Sequence, residues 1–258
     1  MGEVLISTQN LSIYFDANKA VDNVTVDLEA DRFTSILGPN GAGKTTLFDM
    51  ISGRLKPTEG KIFFKGADIT RLTPQQRIKM GMGRSFQLTN VFPSLTTYEN
   101  IRLAMQAKEE VGYRMIRSYL RYGAVNDHAE EILERVLLRD KKDFLAGKLT
   151  HSDQRKLELG MVLALDPKVL MLDEPTAGMA IEEVPVMIDI LKQTKARGTT
   201  IVLIEHKVDM VKELSDKLII MSNGAKLVEG DPETVSRDPA VLEVYLGGGA
   251  LNAVHTQS

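Results

Sequence analysis

Val24, Val26 and Leu28 alternate with Thr25, Asp27 and Glu29, the two-residue period of a strand with one buried and one wet face. The stretch KIFFKGADI repeats that character, so the chain up to Gly66 reads as an antiparallel β subdomain. Between the two lies FTSILGPNGAGKTTLFDMISG: a short apolar run, a glycine-rich turn and a helical segment. From Tyr98 to Gly147 no β-branched run occurs, and DHAEEILERVLLRD spaces its apolar residues by three and four. That spacing predicts an inserted helical subdomain over about 98–160. KVLMLDE and TTIVLIEH follow, each preceded by a helical pattern and each uniformly apolar, as buried parallel strands are. In KLIIMSNGAKLVEGD, Asn223 and Gly224 stand between two strand-like runs, a strong hairpin signal. The prediction is a single α/β domain over 1–246, with a parallel core sheet, an N-terminal antiparallel β subdomain and the helical insertion. Residues 247–258, with little to bury, read as a flexible tail.

Composition narrows the function classes. The 258 residues are 43% hydrophobic and 26% charged, an ordinary globular balance, and the net charge of −3 carries no basic footprint, so no nucleic acid partner is expected. With no cysteine, disulfides and thiolate metal sites are excluded. No apolar run approaches the roughly 18 residues of a membrane span, and MGEVLISTQN lacks the basic start and apolar core of a signal peptide. A cytoplasmic location is the expectation.

The chemistry gathers at three strand ends. GPNGAGKT, Gly38 to Thr45, fits the pattern G-x-x-x-x-G-K-[ST] with a strand before it and a helix after it. In such a P-loop the backbone N–H groups of Gly38, Pro39–Ala42, Gly43 and the helix start through Thr46 surround phosphate wherever an N–H exists; Lys44 reaches the β and γ phosphates, and the Thr45 hydroxyl meets Mg²⁺. Pro39, Asn40, Gly41 and Ala42 thus join the phosphate-binding set. A glycine-rich turn with a chance lysine would reproduce the letters but not their context. VLMLDE places Asp173 and Glu174 at the carboxyl end of a buried strand, where ligands collect in open α/β sheets. Asp173 there can hold Mg²⁺ and Glu174 can polarise water. IVLIEH repeats the arrangement with Glu205 and His206. If the three strands share one sheet, the groups converge on one triphosphate and nucleoside triphosphate hydrolysis follows.

From Leu11 to about Leu246, GPNGAGKTT, RSFQLTNVFPSLTTYEN, LTHSDQRKLELG, VLMLDEPTAGM and IEH occur in an order that resembles the ATP-binding cassette (ABC) family of P-loop NTPases. The resemblance implies ATP and Mg²⁺ as ligands. It makes Phe15 the aromatic stacked on adenine, with neighbouring Tyr14 as the alternative, Gln87 the residue that senses Mg²⁺ and the membrane partner, Glu174 the catalytic carboxylate, and His206 the histidine beside the γ phosphate. It also implies transmembrane permease subunits and a second ATPase subunit, sister chain or self, in a head-to-tail dimer on the inner face of the cell membrane. Thr150 and Ser152 fall in the family's signature, which grips ATP across that dimer. The signature usually reads Leu-Ser-Gly-Gly-Gln, and this chain departs from it.

Thr150 replaces the serine, His151 and Ser152 the glycines, and Asp153 the glutamine. A carboxylate facing phosphate in a dry interface is unfavourable, whereas an acid in a first helical turn suits the helix dipole. A capping box between Thr150 and Asp153 reconciles the two, with Asp153 turned back along its own chain. The stretch then either still grips ATP or only caps its helix. Ala180, in PTAGMA, is a second departure, at a place where many members carry an acid or a polar residue. Within the family, RSFQLTNVFPSLTTYEN, LELGMVLALDPKVLMLDEPTAGM and VYLGG are most like the ATPase subunits of branched-chain amino acid importers. Urea and short-chain amide importer ATPases are the close alternative, and a soluble, non-transport ABC ATPase is the more distant one. Leu88, Val91, Phe92, Pro93 and Leu95 are the expected apolar surface for a permease.

Overall fold

The structure, a computed structural model, describes residues 2–15, 18–85, 91–108, 118–206 and 208–246. Gln87, Leu88 and the tail 247–258 lie outside the described residues.

In chain order the elements are β1 (Val4–Phe15), β2 (Asn18–Glu29), β3 (Phe33–Leu37), α1 (Lys44–Ser52), β4 (Glu59–Phe64), β5 (Ala67–Asp68), α2 (Pro74–Lys79), β6 (Met82–Arg84), α3 (Thr97–Lys108) and α4 (Ser118–Arg135). They continue with α5 (His151–Leu163), β7 (Val169–Asp173), α6 (Val184–Ala196), β8 (Thr200–Ile204), α7 (Val208–Leu214), β9 (Lys217–Ser222), β10 (Ala225–Gly230), α8 (Pro232–Ser236) and α9 (Pro239–Leu246). The chain divides into two compact units, Met1–Arg77 with Thr200–Ser258, and Ile78–Thr199.

In the first unit an antiparallel sheet of order β2-β1-β4-β5 carries the alternation seen in the sequence: Val24, Val26 and Leu28 are buried and their neighbours face water. A second layer runs β10-β9-β3-β8, with β3 parallel to both β8 and β9. Every residue of β3 and β8 is buried, including the polar Thr34 and Ser35 of β3, and Ile201–Ile204 of β8 reads as an unbroken apolar run. Asn223 (φ 48°) and Gly224 (φ 79°) are both left-handed between β9 and β10, the requirement of a type I′ hairpin turn. Leu37, Val211, Leu218, Ile220, Val235 and Val241 close the core around this hairpin.

One feature of this unit escapes hydropathy altogether. Arg77 in α2 is 1% exposed, and its guanidinium donates to the carbonyls of Met50 (2.8 Å), Ile51 (2.6 Å), Ile69 (2.8 Å), Thr70 (3.2 Å) and Leu72 (3.3 Å). The last turn of α1 has no basic residue of its own. A cation from α2 therefore serves the negative end of the α1 dipole.

In the second unit β6 and β7 are parallel, and all of β7 is buried. Helices α3, α4 and α5 supply the expected helical region, with Ile101, Ile132, Leu133, Leu157 and Leu163 in its core. Buried Asn100 folds the preceding turn: its carboxamide accepts from Phe92 N (2.8 Å) and donates to the carbonyls of Phe92 (3.1 Å) and Thr96 (2.9 Å). Phe92 stays half exposed beyond it. Among the described residues, no helix is long and apolar enough to cross a membrane.

Candidate functional site

In the first unit the loop between β3 and α1 is shaped by close backbone approaches. A Cβ on Gly38 would lie 2.2 Å from the Met221 carbonyl oxygen, and one on Gly43 would lie 2.4 Å from that of Ala20. Gly41 and Gly43 are left-handed, at φ 80° and 89°. Gly224 N donates to the Ala42 carbonyl (3.2 Å), and Asp22 N to the Gly224 carbonyl (2.8 Å), so the hairpin turn and β2 brace the loop from behind. Gly43 caps α1 without a side-chain hydrogen bond, leaving the first helical amides for a ligand.

Lys44 is 6% exposed, and its ammonium donates to the carbonyls of Gly38 (2.7 Å) and Pro39 (2.9 Å), which curls the loop over the helix start. Thr45 and Thr46 follow in the first turn, half buried. Left-handed glycines, uncapped amides and one cation form a cradle for phosphate. Gly43→Ala is expected to cost about 1–2 kcal/mol for the left-handed backbone alone, besides the clash with Ala20. Nucleotide titration and thermal melting should both report a loss, and unchanged affinity would refute the close-packed cradle.

The register Ile36↔Ile204 sets the end of β8 beside the end of β3, so Glu205 and His206 leave the sheet on the same side as the loop. Glu205 is buried, and its carboxylate accepts from His206 N (2.7 Å); the His206 side chain is exposed. Phe15 is 48% exposed at the end of β1. Tyr14 is engaged instead, with its hydroxyl donating to Glu59 (3.4 Å) and Lys19 5.5 Å from its ring centre.

The second unit holds the other motifs. Asp173 ends β7 at 1% exposure, with Arg84 Nη2 4.0 Å from its carboxylate. Glu174 follows at φ 49°, a left-handed backbone rare outside glycine, so the chain turns sharply as it leaves the strand. Thr45 and Asp173 are hard oxygen donors of the kind Mg²⁺ takes. Among the described residues, no group of three or more His, Asp or Glu side chains is placed to hold a metal ion.

At the start of α5, Thr150 is the N-cap and its hydroxyl accepts from Asp153 N (3.2 Å), half of the expected capping box. The other half is replaced. Rather than turning back to the cap's backbone, the Asp153 carboxylate, 2% exposed, takes Lys141 Nζ and Lys156 Nζ, each at 2.6 Å. Burial alone would push the Asp153 carboxyl up, but the hydrogen bonds from Lys141 and Lys156 outweigh it and hold it below its ordinary value of 3.8. Two lysines thus neutralise the acid. Ser152, expected at phosphate, is 3% exposed and its hydroxyl donates to Glu183.

A folded-state value below the unfolded one means stability that is present above pH 3.8 and lost as pH falls through the folded value. Asp153→Asn should therefore unfold about 1–3 kcal/mol more easily at neutral pH, with the gap to wild type closing in acid. Urea titrations at neutral and acid pH check this. ATP turnover of the folded variant should stay within a few-fold of wild type, since the carboxylate faces lysines.

The profile described as ABC transporter matches residues 21–177, more than half of the chain. The chain belongs to the ABC transporter family. Its cassettes are ATPases that bind nucleotide and drive transport, as the sequence led one to expect. A second profile, described as branched-chain amino acid ATP-binding cassette transporter, matches residues 225–250. The high-affinity branched-chain amino acid transport ATP-binding protein LivG of Escherichia coli K12 is 33% identical over 96% of this chain and 99% of its own. BraF of Pseudomonas aeruginosa, of the same description, is 30% identical over 96% and 99%. A crystal structure of the ADP conformation of an ABC transporter's cassette is 32% identical, with a TM-score of 0.81 over 95% of this ABC chain and 99% of that one.

Sequence reasoning missed Lys141, Lys156 and Glu183. A buried acid in a first helical turn was the available signal, but it does not name its partners.

Proposed function

We propose that this chain is the ATP-hydrolysing subunit of an importer for branched-chain, hydrophobic amino acids, seated on the cytoplasmic face of the membrane against permease subunits. The observation that carries the solute class is the match of residues 225–250 to the branched-chain amino acid cassette profile.

In this reading Phe15 stacks on adenine, and the backbone of Gly38–Thr46 wraps the phosphates. Lys44 trades its two loop carbonyls for the β and γ phosphate oxygens. Thr45, Asp173 and Gln87 would hold Mg²⁺, which supplies neutralisation of phosphate charge. Glu174 polarises a water for in-line attack, and His206 orients the γ phosphate. The start of α5, through Thr150 and the free amides beside it, closes on the ATP of a second cassette, a sister chain or another copy. Phe92, Pro93 and Leu95, on the turn held by Asn100, meet the permease.

Uptake of labelled leucine, isoleucine and valine by cells lacking this chain tests the solute class. It should fall and return with wild-type protein but not with Lys44→Ala. Unchanged amino acid uptake with lost urea or acetamide uptake would reassign the importer, and no change in any of them would point to a cassette outside transport.

A further inference from the structure

Within the second unit, the loop that leaves β7 is fastened at two points to the first turn of α5. At one, the Ser152 hydroxyl donates to the Glu183 carboxylate. At the other, Gly178 lies so close to the His151 ring that an added Cβ would sit 2.9 Å from Cε1. The loop is stiffened by its own turns, Ala177 N to Glu174 O (3.0 Å), Met179 N to Thr176 O (3.2 Å) and Glu183 N to Ala180 O (3.0 Å). Its first residue is Glu174, in a left-handed conformation that surrounding contacts must hold. Ala180, between the fastenings, brings no polar group of its own.

Charge binds the same region. Lys141 is raised above its ordinary value by its hydrogen bond to Asp153, and Glu183 adds to the effect. Asp153, Glu183, Lys141 and Lys156 therefore form one balanced group around the helix start. Moving Glu183 disturbs that balance as well as the serine contact.

We propose that Glu183 is a positioning residue for hydrolysis: by holding Ser152, it ties the helix start that closes on one ATP to the loop that carries this chain's own Glu174. The inference rests on the roles given above to Glu174 and to the start of α5. Ser152 stands where glycine is usual in the resemblance, so the link belongs to this chain's own departure from that pattern. Displacing a reacting group by about 1 Å costs on the order of a hundredfold in rate, so a loose loop shows in kcat.

The test compares Glu183→Ala, Ser152→Ala, the double variant and Glu183→Gln in the full chain. Phosphate release gives kcat, and titration with a fluorescent ATP analogue gives affinity. Expected are a kcat at least fivefold lower for Glu183→Ala, an affinity within twofold of wild type, and a double variant no worse than either single one. Glu183→Gln, whose amide oxygen still accepts the serine hydroxyl, should recover most of the rate. With a wild type that turns over ATP, a normal kcat for Glu183→Ala, additive losses, or an equal loss of affinity would each overturn the link alone. A wild type without turnover both alone and paired with its sister cassette would overturn the ATPase reading and the link with it.

Discussion

Glu174→Gln is expected to bind ATP with wild-type affinity and to release phosphate at least a hundredfold more slowly, within the range that a positioned general base contributes. The amide keeps the shape of the side chain but cannot draw a proton from water. The geometry makes this residue distinct from an ordinary acid after a strand. Asp173 is buried at the strand end while Glu174 turns out of it at φ 49°, so one acid points into protein and the next is re-aimed by the backbone. Phosphate release and equilibrium nucleotide titration on the same preparation separate rate from binding. Substantial residual turnover would remove Glu174 from its role.

The second large effect concerns stability. Arg77→Met should lower the unfolding free energy by about 3–5 kcal/mol, because several buried carbonyls lose a charged donor and each buried group left unmet costs about 1–3 kcal/mol. Five carbonyls lose the guanidinium, two of them in the last turn of α1; Met50 and Ile69 keep a backbone donor each, and methionine returns only apolar contact. Burial pushes the guanidinium down to about 10, which still leaves it charged at neutral pH. Arg77→Lys should rescue little, because a point charge cannot reach several carbonyls at once as the planar fork does. Urea unfolding followed by circular dichroism gives the number, and a loss below about 1 kcal/mol would show that water can replace the clamp.

The fold was legible wherever one rule dominated. Period two in β2, the apolar runs of β7 and β8, and Asn223-Gly224 each follow from local chemistry. Short β6 was not, since Met82–Arg84 has too few residues to show a period. Arg77 reads as a surface residue in the sequence because its partners are backbone carbonyls far along the chain. The P-loop was legible down to its glycines, because a Cβ at Gly43 would fall 2.4 Å from the Ala20 carbonyl oxygen. Asp153 was half legible: the cap to Thr150 is local, whereas Lys141 approaches from the preceding loop. Glu183, which takes the Ser152 hydroxyl, was not legible, because it lies well downstream and carries no pattern.

The most direct test is steady-state phosphate release with Mg-ATP by the purified chain, alone and paired with its sister cassette, alongside Lys44→Ala. Saturable turnover is expected in the wild type, and it should fall when Lys44 is removed. Undiminished turnover in Lys44→Ala would contradict this, because hydrolysis would then proceed without the residue that bridges loop and phosphate.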